Sequence, residues 1–143
     1  MNVVAIHTRT ADEDDVRPVE TIQAFAGKGL EGDRYFFAEG ARPGLALTLV
    51  EAEIVAGAGL AEGQTRRQLT VSGMGLNHLI GRRFRVGEVE CYGVMICEPC
   101  LHLQELTRPG IIKELVHKSG LNADVLTDGW ISVGDKVVAL DDA

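Results

Sequence analysis

Two thiols stand three residues apart in the turn Cys97-Glu98-Pro99-Cys100. The apolar run Val94-Met95-Ile96 precedes them, and Leu101-His102-Leu103-Gln104-Glu105-Leu106 follows with leucines at helical spacing. This pattern predicts a strand that runs into a helix, with both thiols at the junction. The free N–H groups and positive dipole end of a helix start stabilise a thiolate, which lowers the thiol pKa. A thiolate so placed is a nucleophile, a ligand for a soft or high-valent metal, or an acceptor of sulfane sulfur. Cys100, nearest the helix, is the first candidate for such a role. Cys97 supports it, forms a protective disulfide with it, or is a plain strand-end residue. Cys91 falls in mid-strand and reads as core. Pro99 presets a helical φ where a missing N–H costs nothing, and Glu98 near the helix start is accounted for by the dipole.

Other side chains offer a place for an anion. Five arginines (Arg66, Arg67, Arg82, Arg83 and Arg85) fall in a stretch without a single acid. Arg66 and Arg67 are the best candidates for a phosphate, because a guanidinium matches phosphate oxygens bidentately and stays charged. Gln68 follows them with an amide that can contact a ligand. Asp33-Arg34, after two glycines, reads as a structural ion pair in a turn or as part of the same pocket, where Lys28 and Arg42 are further cations. The remaining arginines read equally well as solvated strand residues. With Cys97 and Cys100, His102 gives Cys-x-x-Cys-x-His, which lacks the spacing and fourth ligand of a zinc finger. His78 among Leu76, Leu79 and Ile80 reads as a core or rim histidine, and Trp130 as a core or rim aromatic.

Short strand-like segments closed by glycine-containing turns must position these groups. Expected strands are 3–7, 21–26, 45–51, 68–72, 83–86, 89–96, 124–127 and 133–140. Gly87-Glu88 reads as a tight hairpin and Gly134-Asp135 as another. Helical signals cover 51–58, a short turn at 76–80, and the pair 101–106 and 111–118 around Pro109-Gly110. The pattern predicts a mostly β fold, a barrel or sandwich, with a few short helices.

With 143 residues the chain reads as a single domain, 1–143, large enough for its own core. Its hydrophobic and charged fractions, 45% and 24%, are those of a soluble globular protein, and no apolar run nears the roughly 20 residues of a membrane helix. Because the N-terminus lacks the marks of a signal peptide, a cytoplasmic location is the expectation. The net charge of −7 speaks against nucleic-acid binding. Three cysteines, two of them crowded together, argue for metal or redox use and against a disulfide framework. A strand, Cys-x-Pro-Cys and a helix also form the local arrangement of a thiol–disulfide oxidoreductase. That reading is disfavoured, because the turn follows a run of strands rather than opening a βαβ unit.

Seven segments in order give a more specific signal. They are Gly29-Leu30-Glu31-Gly32-Asp33-Arg34, Ala46-Leu47-Thr48-Leu49-Val50-Glu51, Arg66-Arg67-Gln68-Leu69, Gly81-Arg82-Arg83-Phe84-Arg85-Val86-Gly87, Cys97-Glu98-Pro99-Cys100, Gly120-Leu121-Asn122-Ala123-Asp124-Val125, and Gly129-Trp130-Ile131-Ser132-Val133-Gly134-Asp135. In this order they resemble the MOSC domain, named for the C-terminal region of molybdenum cofactor sulfurases, in a stand-alone bacterial-type form. The family pattern carries asparagine where Gln68 stands. The resemblance implies a MOSC-like β-barrel with a few short helices. It implies a molybdenum-molybdopterin cofactor with Cys100 as metal ligand, assisted by Cys97, and a cofactor pocket drawn from Arg66, Arg67, Gln68, Arg34 and Asp33. The chain would then be a small oxidoreductase or a cofactor carrier. The alternative within the resemblance is a sulfur carrier or transferase that uses a Cys100 persulfide. The partner would be a pyridoxal-phosphate-linked cysteine desulfurase or a redox protein. Neither a nucleic acid nor a membrane is expected as a partner.

Overall fold

The computed structural model describes residues 1–9, 17–33, 36–41, 44–57, 67–73, 75–96 and 120–140. Among the described residues eleven strands run in chain order: β1 Asn2–Thr8, β2 Arg17–Val19, β3 Thr21–Phe25, β4 Gly29–Leu30, β5 Leu47–Glu51, β6 Leu69–Ser72, β7 Arg83–Val86, β8 Val89–Ile96, β9 Leu121–Val125, β10 Gly129–Ser132 and β11 Val137–Ala139. One short helix, α1 (Ala52–Gly57), follows β5, and a 3-10 turn spans Leu76–Leu79. The cysteine turn and the two helices expected after it lie outside the described residues.

Eight strands form one sheet in the order β11-β7-β8-β9-β5-β6-β1-β2, with β10-β3-β4 as a second sheet. The large sheet curls into a half-barrel. Its far edge returns to its near side through Val3 N–H to Asp135 O (2.8 Å), Gly134 N–H to Val3 O (2.7 Å) and Val137 N–H to Met1 O (2.8 Å). Such curling satisfies backbone groups that a flat edge would leave open.

Alternation decides which face is apolar. Leu47 and Leu49 of β5, Leu69 and Val71 of β6, Phe84 and Val86 of β7, and Leu121, Ala123 and Val125 of β9 are buried in one apolar cluster with Ile6, Leu30 and Ile131. Side chains two residues apart share a face, so the intervening positions look the other way. Burying Phe84 and the leucines, all under 2% exposed, is the main stabilising term, at roughly 1.5–3 kcal/mol for each large side chain.

Two glycines shape the strands that flank the cysteine segment. At the bulge in β8, a Cβ on Gly93 would overlap the Leu79 carbonyl, where the 3-10 turn presses against the strand. Gly120 enters β9 at φ 118°, and a Cβ there would overlap the Leu49 carbonyl. Only glycine fits both.

Several expectations need correction. Gly134-Asp135 is not a hairpin: β10 pairs with β3 and β11 with β7, so this turn carries the chain from one sheet to the other. Asp135 closes it, its carboxylate accepting the Ser132 N–H at 2.8 Å. Of the strand expected at 133–140 only Val137–Ala139 is strand, and Gly129–Ser132 before the turn is a strand that was not expected. The strand expected at 124–127 begins three residues earlier, at Leu121. Residues 51–58 begin as strand, since Glu51 ends β5. The Gly87-Glu88 hairpin between β7 and β8 is present.

Candidate functional site

On the face of the large sheet opposite the apolar cluster runs a polar row. Met95 of β8 pairs with Asn122 of β9, which pairs with Thr48 of β5. Gln68 lies level with Thr48, one step before the Leu49–Leu69 register point of the parallel β5–β6 pair. His7 lies opposite Gln68 and donates its N–H to the Gln68 carbonyl at 2.8 Å. Residues at one level of a sheet share a face, so these five side chains line one band. Its inner end is closed from water: Gln68 is 4% exposed, His7 5%, and Thr70 on the next level of the same face 5%.

Asp33 caps that end. Gln68 Nε2 donates to Asp33 Oδ2 at 2.7 Å, and the Arg9 N–H donates to Asp33 Oδ1 at 2.9 Å. Gln68 Oε1 accepts the Thr48 N–H at 2.8 Å, while the Gln68 N–H donates to Thr48 Oγ1 at 3.0 Å. The amide orientation follows, because a flipped Gln68 would set its NH2 against the Thr48 N–H and its oxygen against a carboxylate. A buried carboxylate costs several kcal/mol unless it receives charge-assisted hydrogen bonds, and Asp33 receives two here.

This network ties together two separate motifs. Asp33 ends the Gly-Leu-Glu-Gly-Asp turn and precedes Arg34; Gln68 follows Arg66-Arg67. The Asp33–Gln68 bond therefore joins a residue of one motif to a residue of the other. Arg67 is half-buried, with Lys28 exposed on the β3–β4 turn. Arg34, Arg42, Arg66, His102, Cys97 and Cys100 lie outside the described residues. The chain leaves β8 at Ile96 and re-enters the sheet at Leu121, which pairs with Ile96. Leu121 pairs with Leu49 and Leu49 with Leu69. The cysteine segment thus departs three strand spacings from the residue next to Gln68, roughly 14 Å at sheet spacing.

Elsewhere the sequence-level candidates separate. Cys91 is fully buried in the apolar cluster. Burial, with the Asp124 and Glu90 carboxylates adding to it, pushes its thiol up to about 12, which makes it inert. Arg82, Arg83 and Arg85 are exposed, as is His78 on its 3-10 turn, and Trp130 is 51% exposed at the rim. Among the described residues no group of His, Cys, Asp and Glu is placed to hold a metal ion. A second buried carboxylate, Glu51, accepts the Gly75 and Leu76 N–H groups at 2.7 and 2.8 Å and so anchors the 3-10 turn. His7, Arg9, Thr48 and Asn122 were not marked by sequence reasoning. A signal for Thr48 and Asn122 existed, in polar residues alternating with Leu47/Leu49 and Leu121/Ala123 on strands whose other face is core.

Comparison with known proteins fits this geometry. The YuaD protein of Bacillus subtilis superposes with a TM-score of 0.81 at 16% identity, over 99% of this chain and 96% of that one. YiiM of Geobacillus stearothermophilus gives 0.75 at 19% identity over 98% and 75%, and YiiM of Escherichia coli gives 0.69 at 19% over 100% and 71%. At these identities the likeness is one of fold. No curated protein matches the sequence. The family model of the MOSC domain matches residues 44–138, from just before β5 to β11, and the chain belongs to the MOSC domain family.

Proposed function

We propose that the chain binds a molybdenum-pterin cofactor on the polar face of its large sheet, as a small oxidoreductase or cofactor carrier. The family is one associated with molybdenum cofactor binding and cofactor sulfuration. The observation that carries the proposal is the Asp33–Gln68 hydrogen bond, which joins the residue before Arg34 to the residue after Arg67 on the sheet that contains β8, the strand preceding the cysteine turn. The donor set fits such a group: a thiolate for a soft metal, guanidinium groups for phosphate oxygens, and a buried polar floor rather than an apolar one.

In this reading Cys100 is the metal ligand, and Cys97 an auxiliary thiol. Arg66, Arg67 and Arg34 hold the phosphate. Asp33 and Gln68 contribute indirectly. The hydrogen bonds they make to each other and to the Thr48 and Arg9 backbone hold Asp33 and Gln68, the sequence neighbours of Arg34 and Arg67, in place. The cofactor, when bound, supplies oxygen-atom or electron transfer at the metal. The chain's own work is to bind, orient and shield it.

The test is a metal and pterin inventory of protein made in a host that synthesises the cofactor. Molybdenum and pterin in the wild type, with molybdenum lost from Cys100→Ser, is the expected result. A Cys100→Ser variant that keeps molybdenum at the wild-type level sinks the proposal. Sulfane sulfur on Cys100 with no molybdenum in the wild type would favour the sulfur-carrier alternative.

A further inference from the structure

Alternation puts a stripe of positive charge on the outer face of β11, β7 and β8. Phe84 and Val86 of β7 point into the core, so Arg83 and Arg85 point outward, and both are exposed. Antiparallel pairing sets Tyr92 of β8 level with Arg83, and sets Val138 of β11 and Glu90 of β8 level with Arg85. Lys136, exposed and next to the buried Val137, continues this face one level further, where its carbonyl accepts the Gly87 N–H at 2.9 Å. Arg83, Arg85 and Lys136 thus stand at successive levels, roughly 7 Å apart along the direction of β7. Apolar surface lies beside them, since Tyr92 is 38% exposed and Val138 44%.

The fold makes no use of this charge. Among the described residues none of the three cations is in an ion pair, although Glu90 lies directly across from Arg85. The nearby carboxylates serve backbone groups instead: Asp124, level with Tyr92, accepts the Gly44 N–H at 2.7 Å, and Glu88 accepts the Trp130 N–H at 3.1 Å. Asp135, beside Lys136, accepts the Ser132 N–H at 2.8 Å. A single solvated cation is ordinary, but three in line beside an exposed tyrosine and valine, on a chain of net charge −7, form a patch complementary to carboxylates.

An extended segment presents side chains to one face every second residue, at the same spacing of roughly 7 Å. Carboxylates at alternate positions of such a segment match Arg83, Arg85 and Lys136 one to one, while Tyr92 and Val138 keep water from the contacts. A nucleic acid carries its charge along its whole length and is repelled by the rest of an acidic protein, whereas a protein segment carries it locally. We propose that this face docks an extended acidic segment of a partner protein. The proposal stands apart from the cofactor reading.

The test follows amide shifts of the 15N-labelled protein titrated with three probes: a capped Glu-Ser-Glu-Ser-Glu peptide, its isomer Glu-Glu-Glu-Ser-Ser, and a short oligouridine. Shifts should cluster on β7, β11 and Tyr92, and the alternating peptide should bind about threefold more tightly than its isomer. Arg83→Gln with Arg85→Gln should weaken binding about tenfold; Arg17→Gln with Lys28→Gln, an equal change of charge elsewhere, should change it less than about twofold. Shifts scattered over the surface, or equal weakening by the two double variants, overturn the proposal. So does oligouridine binding at the stripe more tightly than either peptide. A wild type that dimerises in sedimentation and loses the dimer in Arg83→Gln with Arg85→Gln also overturns it, because the occupant is then a second copy of this chain. If that double variant does not fold, the wild-type shifts and the preference between isomers decide, and absence of either overturns the proposal.

Discussion

At the residue scale the organising contact is Gln68 between Asp33 and Thr48. Gln68→Leu leaves a buried carboxylate short of one donor and the Thr48 N–H without its acceptor. At roughly 1–3 kcal/mol for each unsatisfied group, a loss of about 2–6 kcal/mol is expected in urea unfolding. Gln68→Asn, one methylene shorter, should cost less. Cys91 gives a second prediction, in which sign matters. Its folded-state pKa is raised from 9.0 to about 12, so the unfolded chain loses the proton first. The stabilisation is complete below pH 9 and declines by about 1.4 kcal/mol per pH unit as the pH rises toward 12. Cys91→Val should remove this part of the alkaline slope while tyrosines and lysines still titrate, which urea midpoints between pH 8 and pH 10.5 will show. At pH 8 iodoacetamide should label Cys97 and Cys100 in the folded protein and leave Cys91 unmodified.

At the element scale, β8 and β9 flank the cysteine segment, and each depends on a glycine. Gly120→Ala adds both a strained φ of 118° and an overlap with the Leu49 carbonyl. A loss of about 2 kcal/mol or more is expected, read as a lower thermal midpoint. Leu49→Ala, which removes a fully buried side chain from the central strand, should cost about 2–5 kcal/mol. The longer strands were legible because apolar residues alternate within them, as in Arg83-Phe84-Arg85-Val86, where the two arginines are exposed and Phe84 and Val86 buried. β2 was missed because three residues with a central proline carry no alternation, and β4 because two residues carry no period. The start of β9 was missed because Gly120 and Asn122 resemble turn residues. Asp124 faces the polar side, where its carboxylate accepts the Gly44 N–H at 2.7 Å. The Gly134-Asp135 turn misled because a local glycine-aspartate signal does not say whether its strands join one sheet or two.

At the scale of the whole molecule, the order of seven short motifs carried the family, and the curled sheet explains why they occur together. Motifs 35 residues apart at Asp33 and Gln68 meet through one hydrogen bond. The polar row opposite the core, with His7 at its closed end, was not legible, because strand order and register decide which polar residues share a face. The net charge of −7 adds a point about partners: the exposed Arg82, Arg83 and Arg85 are a local exception on an acidic protein, so any association with another protein should weaken on added salt if they take part. The central claim, a proposal, is that Cys100 is the ligand of a bound molybdenum. X-ray absorption at the molybdenum edge of cofactor-loaded protein measures it directly. The account predicts a protein thiolate sulfur in the metal's first shell, present in the wild type and in Cys97→Ser and missing from Cys100→Ser. A first shell that is the same in the wild type and in Cys100→Ser would contradict it.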